Sequence, residues 1–204
     1  QTKERLITTP SKFGSKPELS DKFLKSILDK TDIMDRVLMF SDFKLNKVNK
    51  KTDGSKQSKI RDIPKLDDAN WAGTKKSDKC ILILTEGDSA KSMAISGLSV
   101  VGRDIYGAFP LKGKVMNVRD ASIDQIMKNS EITNLKKIVG LVNGKEYKDT
   151  KSLRYGKIMI MTDQDHDGSH IKGLVMNVFH HMWPSLLKLG FITSMITPIV
   201  KVSL

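Results

Sequence analysis

The sequence has one cysteine, Cys80, among 204 residues. No intramolecular disulfide can form, and there is no cysteine cluster for zinc. Cys80 sits in KCILIL, where a small buried apolar residue is expected, and such sparing use fits a reducing, intracellular compartment. Long apolar runs are missing as well. Nothing approaches a membrane span, and no signal peptide is visible. Acid is scarce relative to base: 23 Asp and Glu face 35 Lys and Arg, a net charge of +12 and a pI of about 9.7. That balance favours polyanionic partners, nucleic acid first and an anionic membrane surface second. A lysine-rich soluble protein is the plainer alternative. With 39% hydrophobic and 28% charged residues, the chain can pack a core, and its length suits one ordinary domain plus an appendage. It starts in QTKERL without a methionine and stops in TPIVKVSL, a strand-like stretch, so it reads as a piece of something longer.

What is present falls into regions of different texture. Residues 1–43 are helical in part. ELSDKFLKSILDKTDIMDRVLMF sets Phe23, Ile27, Ile33, Met34, Val37 and Leu38 at helical spacing, with Ser20 as the N-cap. Residues 44–64 are rich in Lys, Asn, Ser and Gly and poor in large apolar groups, so they read as a mobile linker or an exposed basic segment. From residue 65 onward the pattern alternates. CILIL, IYGAFPL and GKIMIMT are short apolar strand candidates. DSAKSMAISGL, SIDQIMKNSEITNLKKIVGL and GSHIKGLVMNVFHHMW have helical spacing, and His180, His181 and Trp183 look like the wet end of a helix. Apolar strands alternating with amphipathic helices predict an α/β fold, a parallel sheet flanked by helices, with sites at the carboxyl ends of its strands.

Two strand ends carry the scarce acids. ILILT runs into EGDSA, with Glu86 and Asp88, and IMIMT runs into DQDHDGSH, with Asp163, Asp165 and Asp167. If the two strands are neighbours, the carboxylates converge, repel one another and have raised pKa values unless a cation is present. Hard oxygen donors suit Mg²⁺, and two such ions can clamp the attacking and leaving oxygens of a phosphoryl transfer. A calcium loop of the EF-hand type is a rival, since Asp163, Asp165, Asp167 and Gly168 match its first six places. Its twelfth place needs a bidentate Glu and holds Leu174, and the segment before it reads as a strand rather than a helix. GAFPLKGKV fails as a P-loop, because its glycines are one residue too far apart and Val115 stands where Ser or Thr is needed. Ser89 is not in a nucleophile elbow and is better read as a small helix-entry residue. His166 and His170 flank the acids; His170 reads as a helix-face residue. In PLKGKVMNVRDAS, Lys112, Lys114 and Arg119 surround Gly113 just after a strand, where cations can neutralise phosphate and a glycine admits close approach. A basic surface turn is the alternative.

Taken together, EGDSA, PLKGKVMNVRDAS and IMIMTDQDHDGSHIKGL resemble the TOPRIM domain of eukaryotic type IIA DNA topoisomerases, with VVGRDIYGAFPL, LRYGKIMIMTDQDHDG and TPIVKVS in family order. The likeness runs from about Lys65 to the C-terminus. QTKE resembles the loop of the preceding transducer domain, whose lysine reaches the γ-phosphate of ATP; Lys3 takes that place, with Gln1 beside it. The resemblance implies a Rossmann-like parallel sheet after a mainly helical transducer tail. It also implies an ATP-dependent, homodimeric, nuclear enzyme acting on double-stranded DNA. Glu86, Asp163 and Asp165 would be catalytic and, with Asp167, bind two Mg²⁺ ions that Mn²⁺ or Ca²⁺ can replace in binding. Glu86 would also serve as general acid/base at the ribose 3′ oxygen. Lys112, Gly113, Lys114, Asn117 and His166 would contact DNA, and Gly87, Asp88, Lys112 and Gly113 would line the cleft where topoisomerase poisons sit. Lys112 departs from the arginine common in the family, which keeps the charge but loses a bidentate contact. None of Tyr106, Tyr147 and Tyr155 resembles the family's nucleophile, so this stretch alone would not cut DNA. A primase or nuclease with the same domain is a second reading, disfavoured by PLKGKVMNVRDAS and QTKE. A non-catalytic metal- or DNA-binding module is a third.

Overall fold

The computed structural model describes residues 18–196. QTKE at one end, with Gln1 and Lys3, and TPIVKVSL at the other lie outside the described residues. The chain divides into two compact units, one ending at Lys44 and the other beginning at Leu45.

In the first unit, helix α1 (Asp21–Lys30) starts where expected. The Ser20 hydroxyl accepts from the Phe23 N–H, a donor that the first turn leaves unpaired. Thr31 ends it in extended backbone; α2 (Ile33–Thr52) comes next in the chain, and the division between the units at Lys44 and Leu45 falls within it. Phe23, Ile33, Met34, Val37 and Leu38 have the predicted spacing but remain exposed.

The second unit is a four-stranded sheet in the order β2-β1-β3-β4, all neighbours parallel. Its elements in chain order are β1 (Ile81–Glu86), α3 (Gly87–Val101), β2 (Tyr106–Leu111), α4 (Ile123–Lys128), α5 (Ser130–Val139), β3 (Lys157–Met161), α6 (His166–Met182), α7 (Pro184–Lys188) and β4 (Ile192–Ser194). Side chains alternate across the sheet with the period of two that a strand imposes. Leu82, Leu84, Phe109, Leu111, Ile158 and Ile160 point into the main core with Ile126, Ile132, Leu135, Ile138, Ile171, Val175, Val178 and Phe179 from α4, α5 and α6. Ile83 and Ala108 face the other way, onto Ala94 and Leu98 of α3. That second face has less cover, so Met159 and Met161 on β3 are only half-buried rather than enclosed on both sides.

Two expectations need correction. The described residues between 47 and 64 do not form a free linker. The Gly54 N–H donates to the Leu141 carbonyl at 2.8 Å, and a Cβ on Gly54 would lie 2.2 Å from the Lys136 carbonyl oxygen, so only glycine permits that approach. Asp53 pairs with the buried Lys136 ammonium at 3.1 Å, and Ile63 is buried in the main core. Backbone hydrogen bonds and one buried ion pair anchor a stretch too poor in apolar residues for composition to reveal it. Burial pushes the Lys136 pKa down, against the pull of Asp53. Trp183 is likewise not at a wet end. Its ring is buried against Phe179, and its indole N–H donates to the Val142 carbonyl at 2.8 Å, although His180 and His181 are exposed.

Candidate metal and DNA-cleavage site

Strand order alone brings the acids together. β1 and β3 are neighbours, with Thr85 level with Met161, so Glu86 and the segment starting at Asp163 leave the sheet side by side. The chain after β1 turns into α3 on one face, and the chain after β3 turns into α6 on the other. Opposed exits of this kind open a crevice at the carboxyl ends of the strands, where open α/β sheets bind ligands.

Glu86 closes β1 and caps α3 without a side-chain hydrogen bond. Gly87 follows at φ +84°, in open space. The Glu86 Oε2 atom is buried and has no hydrogen-bond partner in the protein. Burial raises the Glu86 pKa, and the charges of Asp165, Asp163 and Asp167 raise it further, with Lys114 opposing them. Glu86 therefore senses all three aspartates electrostatically, as convergent strand ends require.

The aspartates are exposed and differ in their partners. Asp165 is the N-cap of α6: its Oδ1 accepts from the Gly168 N–H at 2.7 Å. Gly168 packs against the Asp163 carbonyl, where a Cβ would meet the oxygen at 2.0 Å. Asp167 pairs with Lys114 from the loop after β2 at 2.8 Å. That contact holds the Asp167 carboxyl below its ordinary range and the Lys114 ammonium above its own. The calcium-loop alternative fails, because a strand precedes the aspartates, α6 begins at His166, and Leu174 is buried in the core.

Among the described residues, no three His, Cys, Asp or Glu side chains are gathered closely enough to hold a metal ion. The acids leave adjacent strand ends and share a field, while two of them are engaged with partners within the protein. Their chemistry still fits a hard divalent cation: every donor is a carboxylate oxygen, and one buried oxygen is without any partner.

The remaining candidates lie around the same sheet edge or near it. Lys112, Gly113 and Lys114 form an exposed turn just after β2, and the Lys112 N–H donates to Glu131 at 3.0 Å. The Asn117 side-chain oxygen accepts from the Arg119 N–H and from Asn177 on α6, each at 3.0 Å. His166 is exposed at the start of α6, and Asp88 pairs with Lys65. Sequence reading did not find Glu131 or Lys65, whose partners lie far along the chain. The tyrosines are structural or remote. Tyr155 is buried with its hydroxyl donating to Asp68, Tyr147 accepts from the Val142 N–H, and Tyr106 begins β2 at the opposite end from the acids.

The family model described as "Toprim domain" matches residues 81–194. Over the whole chain, the sequence is 60% identical to DNA topoisomerase 2-beta of Gallus gallus, 58% to DNA topoisomerase 2-alpha of Homo sapiens and 55% to DNA topoisomerase 2 of Saccharomyces cerevisiae. It spans only 13–14% of the length of these relatives. A solved structure of the Plasmodium falciparum topoisomerase II DNA-binding, cleavage and re-ligation domain superposes with a TM-score of 0.68 at 60% identity, covering 70% of this chain and 20% of that one. The four-stranded parallel sheet, the acids at the ends of its two central strands and these similarities agree: the chain belongs to the Toprim domain family, in the form found in eukaryotic DNA topoisomerase 2.

Proposed function

We propose that this segment supplies the acidic, Mg²⁺-binding part of the DNA cleavage and religation site of an ATP-dependent type II topoisomerase. The observation that carries the reading is the placement of Glu86 and of Asp163, Asp165 and Asp167 at the exits of adjacent strands, with Glu86 Oε2 buried and unpaired. Topoisomerase 2 relatives that align over the full chain favour this over a primase or nuclease.

Glu86, Asp163 and Asp165 would hold the metal, with Asp167 in support. Bound Mg²⁺, or Mn²⁺ or Ca²⁺ in its place, supplies positive charge at the phosphate and at the departing oxygen. In cleavage, a tyrosine oxygen forms a bond to phosphorus while the bond from phosphorus to the ribose 3′ oxygen breaks. The raised pKa of Glu86 suits it to hold a proton and pass it to that 3′ oxygen, and to take it back on religation. The nucleophile comes from elsewhere in the protein, since Tyr147 and Tyr155 are committed to structural hydrogen bonds. Lys112, Lys114, Asn117, His166 and the backbone at Gly113 would meet the DNA. Gly87, Asp88, Lys112 and Gly113 would border the cleft open to poisons. Gln1 and Lys3 would reach the ATP site, and the working enzyme would be a nuclear homodimer acting on double-stranded DNA. No described helix is long and apolar enough to cross a membrane.

The test places Asp163→Asn in the full-length topoisomerase that carries this segment. Cleavage and decatenation are expected to collapse while ATP hydrolysis continues. Full decatenation by the variant overturns the reading.

A further inference from the structure

The ion pair between Lys114 and Asp167 joins the loop after β2 to the first turn of α6, across the mouth of the acidic crevice. Both side chains are exposed, 51% and 65%, so the pair is weak enough to exchange partners. The pair engages the Asp167 carboxylate within the protein, and among the described residues no three His, Cys, Asp or Glu side chains form a group that could hold a metal ion. Lys114 also acts on Glu86, opposing the rise in its pKa. One ammonium thus partly neutralises both sides of the crevice.

We propose that Lys114 is a positioning residue that serves as an internal counter-ion, holding Asp167 while the crevice lacks metal and releasing it when a divalent cation enters. The proposal rests on the metal-binding reading above and goes beyond it, by making metal entry a competition with a side chain of the protein itself. A compact +1 charge occupies a carboxylate that a +2 ion would draw inward. Each then excludes the other from Asp167 by charge as well as by space. The Asp165 side chain is not subject to the same competition, because one of its oxygens caps α6 and the other remains available.

The experiment is a Mg²⁺ titration of the whole chain, followed by the NMR signals of Glu86, Asp163 and Asp165 and of the Lys114 ammonium. It compares the unmodified protein, Lys114→Met, Asp167→Asn and the double variant. Lys114→Met is expected to lower the Mg²⁺ concentration at half-response a few-fold, and the gain should vanish in the Asp167→Asn background. In the unmodified protein, the Lys114 ammonium signal should move with the same midpoint as Glu86. Equal tightening in both backgrounds shows only the bulk effect of one fewer positive charge and overturns the proposal. So does unchanged or weaker binding in Lys114→Met while Glu86 and Asp163 still respond. No response to Mg²⁺ at Glu86, Asp163 or Asp165 in any of the four proteins overturns the metal reading, and this proposal with it.

Discussion

Gly168 in the first turn of α6 is seated against the carbonyl of Asp163, so closely that a Cβ there would lie 2.0 Å from the oxygen. This contact sets where α6 starts relative to the end of β3, and hence where Asp165 and Asp167 are carried. Alanine in a helix interior is ordinarily favoured over glycine by about 1 kcal/mol. Here the obstacle is backbone, which cannot swing aside, and overpacking of this kind costs about 1–3 kcal/mol. Gly168→Ala is therefore expected to lower stability by up to about 2 kcal/mol despite the better helix former. It should also weaken the Mg²⁺ response at Glu86 and Asp163. Urea unfolding and a Mg²⁺ titration check both, and a gain in stability would show that the start of α6 is freer than the contact implies.

Asp165 has two tasks that substitution can separate. Its Oδ1 caps α6 through the Gly168 N–H, and its charge belongs to the acidic crevice. Asparagine caps about as well as aspartate, while alanine forfeits about 1 kcal/mol. Asp165→Asn should unfold within a few tenths of a kcal/mol of the unmodified protein, and Asp165→Ala at lower denaturant. Both should lose DNA cleavage in the full-length enzyme by about a hundredfold or more. Chemical denaturation alongside a cleavage assay distinguishes the two roles. Retained cleavage in Asp165→Asn would remove Asp165 from the chemistry and leave it only the cap.

The raised pKa of Glu86 has a consequence for stability. Unfolded, the carboxyl titrates at its ordinary value of 4.5; folded, burial and the three aspartates raise it. Between those two values the folded state holds more protons than the unfolded state, so stability falls as pH rises through that window. Above the folded value the loss is complete, and ionised Glu86 opposes folding of the metal-free protein. Glu86→Gln is expected to be more stable than the unmodified protein at pH 7 without metal, with the advantage disappearing below about pH 4.5. Adding Mg²⁺ should stabilise the unmodified protein and not the variant. Denaturation midpoints against pH, with and without Mg²⁺, measure this directly, and a destabilised Glu86→Gln at pH 7 would contradict it.

The parts of this structure legible in the sequence share a physical cause. β1, β2 and β3 are short, mostly apolar strands of five or six residues, and α3, α5 and α6 carry a helical period long enough to register. The acids could be placed because strand ends are sites in parallel sheets, so neighbouring strands sufficed to bring Glu86 to Asp163. Helix α7, with five residues, and β4, with three, are too short to show a period. The burial of Trp183 is not legible from its histidine neighbours, because polarity along the chain does not report which way a ring turns beneath a helix end. The pairing of Asp167 with Lys114, and of Asp53 with Lys136, depends on how loops cross the fold. No local pattern encodes that.

Asp68 shows how strongly one such crossing can bind. Arg154 is fully buried, donating from Nε to the Gln57 carbonyl at 2.6 Å and from one terminal nitrogen to the Ile138 carbonyl at 2.7 Å. Its other terminal nitrogen donates to Asp68, which also accepts from the Tyr155 hydroxyl. That hydroxyl in turn accepts from the Ala69 N–H. The network ties the segment before β1 to the sheet and to the end of α5. Removing the carboxylate leaves a buried guanidinium and a phenol without their acceptor. Loss of one partner of a buried pair costs about 3–5 kcal/mol, and the 22% exposure of the Asp68 side chain places Asp68→Ala near the lower end. Lys65→Ala, which breaks the exposed pair with Asp88, should cost no more than about 1 kcal/mol. Urea unfolding of the two variants should therefore differ by roughly 2 kcal/mol or more. Because Asp68 lies outside the acidic crevice, the Asp68→Ala protein should still show Mg²⁺ shifts at Glu86 and Asp163 below its unfolding transition. Equal costs for the two substitutions would mean that water reaches Arg154 and that the segment before β1 is held by its apolar contacts alone.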